Sequence, residues 1–127
     1  MAQRVVCIID DDEEIIDLVR LILTRRNFTV IGATNGQAGV EMAIREQPDV
    51  VLLDLMMPDI DGWAVLEQLR SNPATRQIPV VLLSGAKQTS KLSIGGIDGV
   101  IYKPFGPREL VEGILAALGE EGSPSGG

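Results

Sequence analysis

Histidine is absent from this sequence. That removes imidazole general-base chemistry and argues against a structural or catalytic zinc site. Cysteine occurs once, as Cys7 inside an apolar run, so no disulfide can close within the chain and the thiol reads as a small core side chain. Aromatic residues make up only 3%, which leaves the core to aliphatic side chains. Positive charge is scarce: 11 Lys and Arg face 18 Asp and Glu, a net charge of −7. Direct binding to nucleic acid or to an anionic membrane is therefore not expected. No apolar run is long enough to span a bilayer, and the first residues do not resemble a signal peptide, so a cytoplasmic location is expected.

What is present is 45% hydrophobic residue in a chain of 127, a length that suits one domain with one core. Five short aliphatic runs stand out: "RVVCII" (4–9), "FTVIGA" (28–33), "DVVLL" (49–53), "IPVVLL" (78–83) and "GVIY" (99–102). They are strand-length and β-branched, and several lack polar alternation, as strands covered on both faces do. Helical periodicity fills most of the gaps. Ile15, Val19 and Ile22 share one face of "DEEIIDLVRLILTRR", with Asp12 as its expected N-cap. Val40, Ala43 and Ile44 share a face of "NGQAGVEMAIREQ", which stops before Pro48, and "DGWAVLEQLRSN" stops before Pro73. "GPRELVEGILAALG" carries Pro107 near its start and Gly119 as its stop.

The fourth connection, "SGAKQTSKLSIGGIDG", is rich in Ser and Gly and only weakly periodic, so its helix is expected to be short or irregular. Residues 120–127 form a Gly/Ser-rich segment expected to be a flexible tail behind a domain over 1–119. Strict alternation of strand and helix implies an α/β fold: a five-stranded parallel sheet in the flavodoxin-like order 2-1-3-4-5 with helices on both faces. Ligands of such sheets bind beyond the carboxyl ends of the strands, near the switch point between strands 1 and 3.

The polar residues fall at that edge. Strand 1 runs into Asp10, Asp11 and Asp12, strand 3 into Asp54, strand 4 into Ser84 and strand 5 into Lys103. Neighbouring carboxylates repel unless a cation sits among them. An all-oxygen donor set without His or Cys selects a hard ion such as Mg²⁺. With a hydroxyl and an ammonium at the same edge, the set describes phosphoryl chemistry on a carboxylate, with Asp54 as nucleophile. Taken singly, each residue has a plainer reading. One of the three N-terminal aspartates should cap a helix, Asp59 and Asp61 should shape a loop, Ser84 could form a turn, and a lone lysine is usually a surface residue. Their shared position argues for a site.

Four motifs, "CIIDDDEE", "LLDLMMPDIDG", "LLSG" and "YKPF", in this order and spacing resemble the receiver domain of two-component response regulators over residues 4–118. The resemblance implies that Asp54 is the phosphoacceptor. It implies that Asp10 and Asp11 bind Mg²⁺ together with Asp54 and the Met56 carbonyl, that Ser84 and Lys103 contact the phosphoryl group, and that the Lys103–Pro104 bond is cis. It further implies a sensor histidine kinase or histidine phosphotransfer protein as phosphoryl donor and a downstream protein partner, with no separate substrate turnover.

Two departures bear on output. The family's usual aromatic residue three positions before the lysine is Val100 here, and Tyr102, on the same side of the strand, is expected to substitute in part. The fourth crossover is about one helical turn shorter than usual for the family. Met56 and Ala86 occupy positions that govern attack of water on the phosphorylated aspartate in the family; both are nonpolar, so a long-lived phosphoryl group is expected. Two other readings stay open. A small aspartyl-phosphate hydrolase would normally carry a second aspartate where Met56 stands. A binding module that has lost phosphorylation would be indifferent to Asp54 chemistry.

Overall fold

The aliphatic runs pair in parallel. In the computed structural model, which describes residues 3–57, 62–85 and 96–119, β1 (Arg4–Ile9) lies between β2 (Phe28–Ala33) and β3 (Val50–Asp54). β4 (Val80–Gly85) and β5 (Gly99–Lys103) extend the sheet, giving the order β2-β1-β3-β4-β5 expected from the sequence. Among the described residues four helices accompany it: α1 (Glu13–Thr24), α2 (Gly36–Glu46), α3 (Gly62–Ser71) and α4 (Pro107–Ala117). The interior of the fourth crossover, Asp59, Asp61, Ala86 and the tail 120–127 lie outside the described residues.

Side chains alternate across each strand, so the sheet divides the core in two. Val6, Ile8, Leu52, Val81, Leu83 and Ile101 pack against α1 and α4. Cys7, Ile9, Val51, Leu53, Val80 and Leu82 pack against α2 and α3 on the other face. All five residues of β3 are buried, as a central strand covered on both faces requires. Each fully buried Leu, Ile or Val contributes about 1.5–3 kcal/mol.

Local chemistry sets the helix ends. Asp12 caps α1, its carboxylate accepting the Glu14 amide at 2.9 Å, and Asn35 caps α2 by accepting the Ala38 amide at 2.8 Å. On α2 the face against the sheet is Gly39, Val40 and Ala43, while Ile44 sits at its margin and is 37% exposed. At α3, a Cβ on Gly62 would lie 2.6 Å from the Leu55 Cα and 3.0 Å from the Asp54 carbonyl oxygen. Only glycine lets this helix start so close to the end of β3.

Strand limits differ from expectation in one useful way. The third and fourth strands, expected at 49–53 and 78–83, are displaced toward the site end and include Asp54 and Ser84. The ladder continues through these polar residues, pairing Asp54 with Leu83 and Ser84 with Tyr102.

Arg70, in the last turn of α3, ties three chain segments together. Its Nε donates to the Gly96 carbonyl at 2.7 Å, and its Nη1 donates to the carbonyls of Arg76 at 2.9 Å and Ile78 at 2.8 Å. Its Nη2 pairs with Asp98 Oδ2 at 3.1 Å, and that oxygen also accepts the Val80 amide at 2.9 Å. The start of β4 and the end of the fourth crossover are thereby held by one guanidinium. No helix among the described residues is long and apolar enough to cross a membrane.

Candidate functional site

At the carboxyl end of the sheet β1 and β3 are neighbours, so the residues that follow Ile9 and Leu53 meet. One oxygen from each of Asp10, Asp11 and Asp54 lies within 4.8 Å of the others. Asp10 is fully buried, Asp54 is 4% exposed and Asp11 is exposed. Lys103, at the end of β5, reaches across the edge: its Nζ is 3.0 Å from Asp10 Oδ2 and 3.6 Å from Asp54 Oδ1. Among the described residues one ammonium stands against three carboxylates, a deficit of positive charge that a hard divalent cation would make good. The donors are all oxygens, and Asp11 keeps one side open to solvent, so the residues fit Mg²⁺ with part of its hydration retained.

The two buried carboxylates are held by the same local device. Asp10 Oδ1 accepts the amide of Asp12 at 2.9 Å, and Asp54 Oδ1 accepts the amide of Met56 at 3.0 Å. Each is a side chain bonded to its own backbone two residues on, a turn that Asp forms readily. Both donors are main-chain amides that any residue but proline would offer, so the sequence does not single them out. The Asp54 carboxyl is raised from 3.8 to about 6. Burial is the main cause; Asp10 and Asp11 push the same way, while the Met56 amide and Lys103 oppose them.

Four of the expected site residues, Asp10, Asp11, Asp54 and Lys103, are thus brought together. Ser84 is buried at the end of β4, and its hydroxyl donates to the Gly85 carbonyl at 3.1 Å. Met56 is adjacent, with its side chain 62% exposed. On β5, Val100 packs against the α2–α3 side of the core, whereas Tyr102 is 51% exposed. The Lys103–Pro104 peptide is cis, as the resemblance implied. Beside the cluster an apolar recess of about 280 Å³ is lined by Ile15, Leu18, Pro104, Phe105 and Lys103.

A five-stranded parallel sheet thus carries an acidic cluster at the switch point between β1 and β3, with Lys103 reaching in from the end of β5. The chain matches the response regulator receiver domain over residues 6–115 and belongs to that family. Among its relatives is the DNA-binding dual master transcriptional regulator RpaA of Synechocystis, 37% identical over 116 residues, covering 89% of this chain and 48% of that protein. Another is the transcriptional regulatory protein SrrA of Staphylococcus aureus, 35% identical, covering 89% of this chain and 47% of that one. The chain therefore spans about half the length of the curated relatives it matches. In structure it is similar to the chemotaxis response regulator CheY4 of Vibrio cholerae, with a TM-score of 0.84 at 24% identity over 91% of this chain and 98% of that one. It is also similar to the N-terminal domain of a receiver protein from Methanoculleus marisnigri, with a TM-score of 0.70 at 33% identity over 87% and 93% of the two chains. The chain is a receiver domain of two-component signalling.

Proposed function

We propose that this receiver is a phosphoacceptor switch that takes a phosphoryl group from a phosphohistidine onto Asp54 and changes its partner binding as a result. The observation that carries this reading is the meeting of Asp10, Asp11, Asp54 and Lys103 at one sheet edge. Asp54 Oδ1 is engaged by the Met56 amide and faces Lys103, which leaves Oδ2 to attack phosphorus. The new bond is oxygen to phosphorus, the broken bond is nitrogen to phosphorus, and the departing imidazole takes up a proton. Mg²⁺, held by Asp10, Asp11, Asp54 and the Met56 carbonyl, would neutralise charge on the transferred group. Lys103 adds a second positive charge there. Ser84 supplies a hydrogen bond once its hydroxyl turns from the Gly85 carbonyl, and that movement couples the phosphoryl group to β4.

The donor would be a sensor histidine kinase or a histidine phosphotransfer protein. The apolar recess beside the cluster, with Leu18 40% exposed on its rim, suits a docking protein that must bring an imidazole to Asp54. A downstream protein would read β5, where Tyr102 stands exposed in place of the family's usual aromatic residue at position 100. With a net charge of −7, this chain is a poor match for a phosphate backbone, so nucleic-acid contact by a longer protein would fall to other residues.

The test is intact mass after incubation with Mg²⁺ and a small acyl-phosphate donor. A single phosphoryl adduct is expected on the parent, absent from Asp54→Ala and lost when Mg²⁺ is chelated. No adduct from either that donor or a phosphorylated kinase would favour a binding module that works without phosphorylation. A second prediction concerns lifetime. The exposed, nonpolar Met56 side chain cannot orient a water, so Met56→Asn should shorten the half-life of the adduct several-fold, about 1 kcal/mol in the barrier. Decay followed by mass spectrometry after donor removal checks this, and an unchanged half-life would count against shielding by Met56.

A further inference from the structure

Asp10 is gripped from two sides, and one of them is the beginning of a helix. Its Oδ2 accepts Lys103 at 3.0 Å, and its Oδ1 accepts the backbone amide of Asp12 at 2.9 Å. Asp12 is itself pinned by α1. Its carboxylate accepts the Glu14 amide at 2.9 Å, and its carbonyl accepts the amides of Ile15 at 3.1 Å and Ile16 at 3.3 Å. One residue therefore closes the helix with its acceptors and the acidic cluster with its donor.

We infer that Asp12 is a positioning residue for the cation and phosphoryl site: by capping α1 it fixes the amide that sets the rotation of the Asp10 carboxylate. The inference rests on the reading of the cluster as a Mg²⁺ site. A carboxylate with both oxygens engaged has one favoured orientation, and Asp10 needs that restraint because Asp11 and Asp54 repel it. Without the Asp12 amide, Lys103 is the remaining hold on Asp10 among the described residues. The rest of α1 does not depend on the cap, because Ile16, Val19, Ile22 and Leu23 bury its inner face. Loss of the cap thus frees the first turn, where the amide lies, and leaves the helix docked.

Charge and geometry can be separated. The carboxylate of Asp12 is occupied with the helix and lies outside the group of Asp10, Asp11 and Asp54. Asp12→Asn removes its charge but keeps a capping oxygen of equal quality, whereas Asp12→Ala removes both. Asp12→Gly also lacks the acceptor yet weakens a helix start by only a few tenths of a kcal/mol, which covers the case of an alanine variant that folds poorly.

The experiment is calorimetric titration of MgCl₂ into each protein, at a temperature well below every unfolding midpoint. Parent and Asp12→Asn should bind with the same Kd, Asp12→Ala about tenfold more weakly, and Asp12→Gly, whose helix start is less weakened, between the two. A cap that serves stability alone would lower the unfolding temperature and leave the Kd of the folded protein unmoved. Equal Kd values in all four proteins would overturn the inference while leaving the cation site standing. An Asn variant as weak as the Ala variant would assign the effect to charge and also overturn it. A parent that binds no Mg²⁺ would overturn the cation site and the inference together.

Discussion

At pH 7 without Mg²⁺, Asp54→Asn should be more stable than the parent by about 1–3 kcal/mol. The Asp54 carboxyl, raised from 3.8 to about 6 in the fold, keeps its proton over a range in which the unfolded chain has already released it. Folding therefore binds a proton between about pH 4 and about pH 6, and stability falls as pH rises through that window. Above it the parent carries a buried carboxylate beside Asp10 and Asp11, and among the described residues Lys103 is the positive group that Asp54 shares with Asp10. Asparagine has no proton to lose, so the two proteins should match near pH 4 and diverge until the pH passes about 6. Mg²⁺ should close the gap, raising the melting temperature of the parent at pH 7 far more than that of the variant. Urea or thermal unfolding at several pH values, with and without MgCl₂, reads this directly. Equal stability at pH 7 without the ion would mean that the folded chain does not strain against the Asp54 charge.

Arg70→Ala should cost about 3 kcal/mol, far more than a surface arginine. The guanidinium serves the carbonyls of Arg76, Ile78 and Gly96 and the carboxylate of Asp98, and its side chain is only 23% exposed. Removal strips four acceptors of a donor. Water reaches some of them, which keeps the loss below the sum of four charged hydrogen bonds. Lysine should recover little, because a compact ammonium cannot span four acceptors held in a planar fork. Arg20, 3.5 Å from Asp17 on the outside of α1, supplies the contrast, and its alanine variant should change stability by about 0.5 kcal/mol or less. Urea midpoints rank the three variants. Faster amide exchange at Val80 and Asp98 in Arg70→Ala would locate the damage where β4 and β5 begin, since the Asp98 amide donates to Val80 at 2.8 Å.

The strand order could be read from alternation alone, because five unbroken aliphatic runs separated by helical patterns admit few parallel arrangements. Asp10, Asp11, Asp54 and Lys103 could be read as a group because each follows such a run. Other features depend on distance in the chain or on backbone donors that one-letter codes do not display. Arg70 looks like an ordinary charge at a helix end, and only folding brings it to Gly96 and Asp98. The Met56 and Asp12 amides contribute through main chain that any residue would offer, so their importance is invisible in side-chain chemistry. The strand limits slipped at Asp54 and Ser84 for a related reason. A polar letter reads as a strand end, but backbone pairing takes no account of the side chain that hangs from it.

The thiol on β1 gives the chain a practical property. Cys7 is sealed within the α2–α3 side of the core, and burial pushes its pKa up to about 12. Alkylating and dye-bearing reagents attack the thiolate, which this site neither forms at neutral pH nor exposes. Toward thiol chemistry the folded protein behaves as though it had no cysteine. A single cysteine substituted for the exposed Tyr102 would then be the one labelled position, and a fluorophore there would report on β5 while Asp54 is loaded and unloaded.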